Sequence, residues 1–287
     1  MKIGKTGKER SVKVGKFDGI LICTDLDGTL LNNDKSISEE NLRAIEYFKS
    51  EGGRFTFVTG RLPYYVGKAL DLVRPNAPIG CANGGGVFDF ATDEYVWQSP
   101  LGREALPLVK HIDGLFPNVG IQAVCYRKTY FCKENVTMKH FRAVTGLENL
   151  VLGYYDVKEP IAKIIFGSDD GEELSRVEAE LRSHPLAGDF DFVRSERTLF
   201  EILPKGIGKG VALEKLCEHL GIDKKKSVAV GDYDNDVSML ISAGAGIAVK
   251  NASRAALEAA DFVTVSNEQH AIREVIWGIE NGKYIRI

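Results

Sequence analysis

No stretch of this 287-residue chain approaches the roughly 18 uninterrupted apolar residues of a membrane-spanning helix, which excludes a membrane pump or transporter. Cysteine is sparse and unpatterned. Cys23, Cys81, Cys125, Cys132 and Cys217 make an odd number with no Cys-x-x-Cys pair, so neither a disulfide framework nor a zinc site is expected. Reduced thiols in a cytoplasmic protein are the expectation instead. A charge surplus is missing too. With 37 basic and 40 acidic side chains the net charge is -3, which gives no electrostatic reason to bind nucleic acid or a membrane surface. Repeats and low-complexity tracts are absent. What remains is 44% hydrophobic and 27% charged, the balance of a chain that buries a core, and its length suggests about two domains.

The charge is unevenly distributed. Lys2, Lys5, Lys8, Arg10, Lys13 and Lys16 against Glu9 and Asp18 give residues 1–19 a net charge of +4. The segment lacks the apolar run of a secretory signal and reads as a solvated basic extension. From residue 20 the pattern alternates. Ile20–Thr24 reads as a buried strand, and Ser36-x-x-Glu39 as a capping box before a helix carrying Leu42, Ile45 and Phe48. Phe55–Thr59 (strand), Pro63–Val73 (helix) and Pro78–Ala82 (strand) follow, then a hairpin over Val87–Phe90 and Tyr95–Trp97. The same alternation returns from Lys209 to Glu280, with strands at Ser227–Val230, Gly246–Val249 and Phe262–Val265 and a closing helix at Glu268–Glu280. Strands alternating with helices predict an α/β, doubly wound, mainly parallel Rossmann-like core. Residues 99–197 break this rhythm and read as an inserted α+β cap, leaving 20–98 and 198–287 as the core.

Four polar clusters fall at the carboxyl ends of predicted parallel strands, where open α/β sheets place ligands. Asp25-Leu26-Asp27-Gly28 closes the first strand; it could be a capped polar turn, but two carboxylates there are costly without a cation or a function. Thr59-Gly60-Arg61 closes the second and offers a hydroxyl and backbone amides to a phosphate, or is an ordinary turn. Lys209 opens a helix after Gly206-Ile207-Gly208, where a cation opposes the helix dipole unless it faces an anion; Lys205 is its neighbouring competitor. Asp232, Asp234, Asn235 and Asp236 follow the Ser227–Val230 strand and suit a hard divalent cation.

Taken together, Asp25-x-Asp27-Gly28-Thr29-Leu30-Leu31, Thr59-Gly60-Arg61, Lys209-Gly210 and Gly231-Asp232-x-x-Asn235-Asp236 resemble the four motifs of the haloacid dehalogenase superfamily, spaced as in Cof-type phosphatases. Asn83-Gly84, Asn251-Ala252 and Ala260-Asp261 also match. The insertion has the length and elements of a type IIB cap. At Gln269-His270-Ala271-Ile272 the chain departs from the family's acidic-Gly-Val. The resemblance implies phosphoryl transfer from a small phosphorylated metabolite, such as a sugar phosphate, to water through an aspartyl-phosphate. Asp25 would be the nucleophile and Asp27 the general acid and base. Mg²⁺ would be held by Asp25, the Asp27 backbone carbonyl and Asp232, with Asp236 orienting the metal's waters or Lys209. Thr59, Gly60, Lys209 and Asn235 would hold the phosphoryl oxygens. No nucleic acid, membrane or second subunit is implied. A phosphomutase and a non-catalytic phosphometabolite sensor share these parts. Within the cap, Arg127, Lys128, Lys163, Arg194 and Arg197 are polar candidates for leaving-group contact that equally read as solvated surface residues.

Overall fold

A computed structural model describes residues 15–285; the basic side chains from Lys2 to Lys13 lie outside the described residues. Phe17, within the expected solvated extension, is instead fully buried. Its ring packs 4.8 Å from that of Phe48, and Lys16 is ion-paired with Glu280.

Along the chain, β1 (Leu21–Thr24), α1 (Glu39–Ser50), β2 (Arg54–Phe57) and α2 (Lys68–Val73) lead to β3 (Ile79–Cys81), β4 (Gly86–Asp89) and β5 (Glu94–Gln98). The cap contributes α3 (Leu106–Leu115), β6 (Gly120–Cys125), β7 (Thr129–Lys133), α4 (Val136–Thr145), β8 (Leu150–Val151), β9 (Ile161–Gly167), α5 (Gly171–Ser183), β10 (Phe190–Glu196) and β11 (Leu199–Pro204). The core resumes with α6 (Lys209–Leu220), β12 (Ser227–Gly231), α7 (Val237–Ser242), β13 (Ala245–Ala248), α8 (Arg254–Ala259), β14 (Phe262–Val263) and α9 (Ala271–Glu280).

The core sheet is parallel throughout, in the order β14-β13-β12-β1-β2. Its strands are buried on both faces, which is why β1 reads Leu-Ile-Cys-Thr without alternation. Ile45 and Phe48 of α1 and Ile272, Val275, Ile276 and Ile279 of α9 cover one face. Leu213 and Leu216 of α6, Met239 and Leu240 of α7 and Ala256 of α8 cover the other. β3 touches the parallel sheet only through the Val58–Gly80 bridge and heads an antiparallel sheet with β4 and β5.

The cap sheet has six strands in the order β10-β11-β9-β6-β7-β8. β11 was not foreseen. It pairs with β9 and β10, so the cap sheet runs on beyond residue 197 to Pro204, where the Pro204–Gly208 stretch also reads as a border in the sequence. Along β6, β9 and β11 alternate side chains divide the two faces. Ile121, Ala123, Ile164, Phe166, Phe200 and Ile202 pack against α3 and α5. Gln122, Val124, Lys163, Ile165, Leu199 and Glu201 face a cavity toward the core. Helix α4 seats closely on this inner face because Gly120 and Gly167 have no side chain; a Cβ at either would come within 2.6 Å of Met138 atoms.

Three local expectations are corrected. The cap of α1 is Ser38, whose side chain accepts from the Asn41 amide, and not Ser36. The helix expected over Pro63–Val73 breaks at Gly67, where φ is 71°. The closing helix starts at Ala271 and not at Glu268, because His270 occupies the left-handed region at φ 61°. This is the position where the chain departs from the family's glycine. A non-glycine residue there costs about 1–2 kcal/mol, and glycine returns part of that gain as unfolded-state entropy. His270→Gly is therefore expected to stabilise the protein by about 0.5–1 kcal/mol, read as a rise of about 1–2 °C in melting temperature. A fall would refute the strain at His270.

Candidate active site

The site forms where β1, β2 and β12 end side by side. Asp25 follows β1, and its amide donates to Val230 O at 2.9 Å, which fixes the loop to β12. The chain then turns at Gly28, with φ 82°. Only glycine fits there, because a Cβ would stand 2.4 Å from Asp232 Oδ2. The Thr29 hydroxyl donates to Asp232 Oδ1 at 2.6 Å and joins the first and fourth motifs directly.

Lys209 begins α6 beneath this junction and is 1% exposed. Its ammonium donates to Asp25 Oδ1 at 2.6 Å and to Asp236 Oδ1 at 2.5 Å. Burial alone would lower its pKa, but Asp236 and Asp25 outweigh burial and hold the ammonium charged. The other oxygen of Asp236 accepts from the amides of Asp232 and Tyr233 at 2.9 and 3.0 Å. Both Asp236 oxygens are thus engaged, which suits a residue that orients Lys209 and the Asp232 loop. Of the competing lysines, Lys205 pairs with Asp191 in the cap and stays half-exposed.

Carboxylate oxygens of Asp25, Asp232 and Asp236 lie within 4.8 Å of one another. Burial pushes the Asp25 carboxyl well above its ordinary value; Lys209 opposes this, and Asp236, Asp232 and Asp27 add to it. Burial, and then Asp236, push Asp232 up to about 7, against the Thr29 hydrogen bond and Lys209. One lysine among three acids leaves the cluster short of positive charge. All-oxygen donors with excess negative charge fit a hard divalent cation such as Mg²⁺.

Asp27 is arranged differently. Arg61 grips it in a fork, Nε to Oδ2 at 3.0 Å and Nη2 to Oδ1 at 2.8 Å, and Lys35 donates to Oδ1 at 2.8 Å. Burial would raise this carboxyl, but Arg61 and Lys35 together hold it below the ordinary carboxylate range. Asp27 is therefore an ion-paired carboxylate here, where the general-acid role implied by resemblance needs it to begin protonated.

Asp25, Asp27, Thr59, Gly60, Asp232 and Asn235 line one cavity of about 550 Å³, closed on its far side by the cap's inner face. Thr59 is 2% exposed and its hydroxyl accepts from the Arg61 amide at 3.2 Å. Lys209 and Asp236 lie under this floor and not on it. A separate groove of about 700 Å³ between the cap and α6 includes Asn235 but neither Asp25 nor Asp27.

Sequence reasoning missed a buried polar chain that joins the two domains. Asn235 Nδ2 donates to Asn83 Oδ1 at 3.0 Å, Asn83 Nδ2 to Glu201 Oε2 at 2.6 Å, and Lys163 Nζ to both Glu201 oxygens at 2.8 Å. Asn83, Lys163 and Glu201 are 1%, 3% and 1% exposed, so Lys163 is no surface residue. The available signal was a charged residue at an alternate position of an otherwise apolar strand. Ile161-Ala162-Lys163-Ile164-Ile165-Phe166 and Leu199-Phe200-Glu201-Ile202-Leu203 both carry it. Arg127 reaches Tyr64 and Asp93, Lys128 approaches Glu159, and Arg194 donates to Arg197 O; among these cap candidates only Lys163 and Arg197 line the cavity.

Comparison with known proteins agrees with this geometry. Residues 22–276 match the haloacid dehalogenase-like hydrolase family. The 5-amino-6-(5-phospho-D-ribitylamino)uracil phosphatase YwtE of Bacillus subtilis is 30% identical over 289 residues, covering 92% of this chain and 99% of the relative. A haloacid dehalogenase-like hydrolase from Bacteroides thetaiotaomicron superposes with a TM-score of 0.78 at 27% identity, covering 91% and 99% of the two chains. The subclass IIB sugar phosphatase BT4131 shares the fold with a TM-score of 0.80 at 20% identity, covering 91% and 98%. The chain belongs to the haloacid dehalogenase-like hydrolases. Within that family it is a phosphatase-type hydrolase of the Cof kind, whose cap shares the fold of the subclass IIB sugar phosphatase BT4131.

The charge arrangement generates a pH dependence. The folded-state pKa of Asp232, about 7, lies above its ordinary 3.8. The folded protein thus keeps a proton that the unfolded chain has already lost, and the metal-free protein loses stability as the pH rises from about 4 to about 7. Mg²⁺ requires ionised carboxylates, so it should raise the melting temperature more at about pH 8 than at about pH 5. Scanning calorimetry with and without Mg²⁺ checks this, and equal gains at both values would contradict it.

Proposed function

We propose that the protein is a Mg²⁺-dependent phosphatase that hydrolyses small phosphorylated metabolites, chiefly sugar phosphates, through an aspartyl-phosphate on Asp25. The observation that carries this reading is Asp25 itself. It stands on the floor of a cavity between core and cap, fixed by Lys209, with Asp232 close enough to share a cation. The cavity volume suits a small metabolite. The names of YwtE and BT4131 both describe phosphatases of small phosphorylated compounds, which supports the same substrate class.

In the first step an Asp25 oxygen attacks phosphorus and the ester P–O bond breaks, with the Asp27 carboxyl giving its proton to the departing alkoxide. In the second a water oxygen attacks phosphorus, Asp27 takes the water's proton, and the bond from phosphorus to Asp25 breaks. Asp25, the Asp27 backbone carbonyl and Asp232 would hold Mg²⁺, which would supply the positive charge that lets an ionised nucleophile approach a phosphate dianion. The arrangement of Asp27 gains a purpose in this scheme. An entering phosphate competes for Arg61 and Lys35, and loss of those partners raises Asp27 toward the protonated form that the first step uses. Thr59, the Gly60 backbone and Asn235 hold the phosphoryl oxygens, while Lys209 positions Asp25 from below.

A cytoplasmic setting agrees with five cysteines that are all free thiols. No helix among the described residues is long and apolar enough to cross a membrane. The reading requires neither a nucleic acid nor a second subunit.

Purified protein with Mg²⁺ is expected to release inorganic phosphate from at least one sugar phosphate and to stop when the metal is chelated. Asp25→Asn should lower kcat by at least about 10³-fold with the circular dichroism spectrum retained. Turnover that survives this substitution would remove Asp25 from the mechanism.

A further inference from the structure

The cap wall of the cavity contains polar atoms that the chemistry above does not use. Gln122 on β6 is fully buried, and its Oε1 has no hydrogen-bond partner among the described residues. Its Nε2 faces Met138 Sδ at 2.9 Å, so the amide is fixed with its oxygen left over. Thr137, at the start of α4, is 9% exposed, and its hydroxyl is equally unpartnered. Both line the same cavity as Asp25. Lys163 lies on neighbouring β9, two positions before Ile165, which stands opposite Gln122 in the sheet register. Its contacts with the two Glu201 oxygens leave one of its three N–H donors.

Leaving a buried carbonyl oxygen and a hydroxyl unpaired is destabilising, because each has lost its water partners without gaining others. Such groups persist where a ligand completes them. Around them the wall is apolar, with Val124, Ile165, Phe141, Leu147 and Leu199. The wall has an acceptor in Gln122, a donor in Lys163 and a group of either kind in Thr137. A ligand that satisfies all three must both donate and accept, as hydroxyl groups do. Charge narrows the class further. Lys163 is neutralised by Glu201, and Lys35 and Arg61 share Asp27. The other basic side chains that line it, Arg197 on the turn between β10 and β11 and His140 on α4, are exposed. The buried wall therefore has no spare positive charge for a second phosphate or a carboxylate.

Resting on the phosphatase reading above, we propose that Gln122, Thr137 and Lys163 form the leaving-group subsite, and that it selects a neutral polyhydroxyl group, so that sugar or alditol monophosphates are preferred over bisphosphates and phosphocarboxylates. These are specificity-determining residues; none touches the reacting phosphorus.

The test uses the full chain with Mg²⁺ and the variants Gln122→Leu and Thr137→Val, which keep the approximate volume and remove the polar atoms. Substrates are the monophosphates of three- to six-carbon sugars and alditols, with p-nitrophenyl phosphate as a leaving group that lacks hydroxyls. The ratio of kcat/KM on the best polyol phosphate to that on the aryl phosphate is expected to fall about tenfold in each variant. The melting temperature of Gln122→Leu should be equal to or above wild type, because an unpaired buried oxygen is removed. Ratios within twofold of wild type in both variants would overturn the subsite, as would a several-degree loss of stability with an unmoved ratio. A binding measurement separates this from a failure of the phosphatase reading. Calorimetric titration of the same polyol phosphate into Asp25→Asn and Asp25→Asn/Gln122→Leu protein needs no turnover. A Kd about tenfold weaker in the double variant supports the subsite even if wild type releases no phosphate, and equal Kd values refute it.

Discussion

One buried ammonium organises the catalytic end of the core. Lys209 is enclosed by the sheet edge and bonded to Asp25 and Asp236 at once. A buried lysine in such a place depends on its acidic partners, and the acids are tolerable only because the lysine is there. Two strands must therefore end at the same level, since Asp25 follows β1 and Asp236 lies beyond β12, while the helix carrying Lys209 packs across the sheet. The central placement of β1 between β12 and β2 follows from the same constraint, because it puts Asp25 within reach of both neighbouring loops. The single lysine cannot balance three carboxylates, and that residual charge suits the cluster to a divalent cation.

The cap obeys a separate logic. Its outer face is an apolar layer shared with α3 and α5, and its inner face carries a few polar groups in an apolar setting. Strand alternation keeps the two apart, so the residues that hold the cap together differ from those that meet a ligand. The buried pair of Lys163 and Glu201 lies at the inner boundary. It offers little net stabilisation against an apolar pair of the same size, but loss of one partner would cost about 3–5 kcal/mol. Its value lies in position, since Glu201 also receives Asn83, which in turn receives Asn235 from the loop after β12.

The sequence was most legible where local chemistry and fold coincide. The span of α6 could be read as it stands because Gly208 precedes it and Gly221 ends it in the left-handed conformation. Asp25, Thr59 and Asp232 could be placed because polar clusters directly after apolar strands are costly unless a ligand or a cation meets them. Legibility failed where tertiary contacts decide. Ser38 displaced Ser36 as a helix cap although both precede the same helix. β11 was hidden because its run abuts a glycine-rich turn, and one of its two partners, β9, lies over thirty residues away. Lys163 and Glu201 each sit in an apolar strand run, a signal of burial, but their pairing with each other depends on the sheet order. The pairing of Asp27 with Arg61 and Lys35 was equally out of reach, since it depends on how two loops turn.

The chain passes between core and cap twice, after β5 and again between Pro204 and Lys209. Two covalent tethers define a line, and rotation about that line is the motion that stretches neither. The contact between Asn83 and Glu201 spans the two bodies, so such a swing has to part it and hydrate a carboxylate that is now dry. Entry of solvent and swivelling of the roof are consequently a single thermodynamic event.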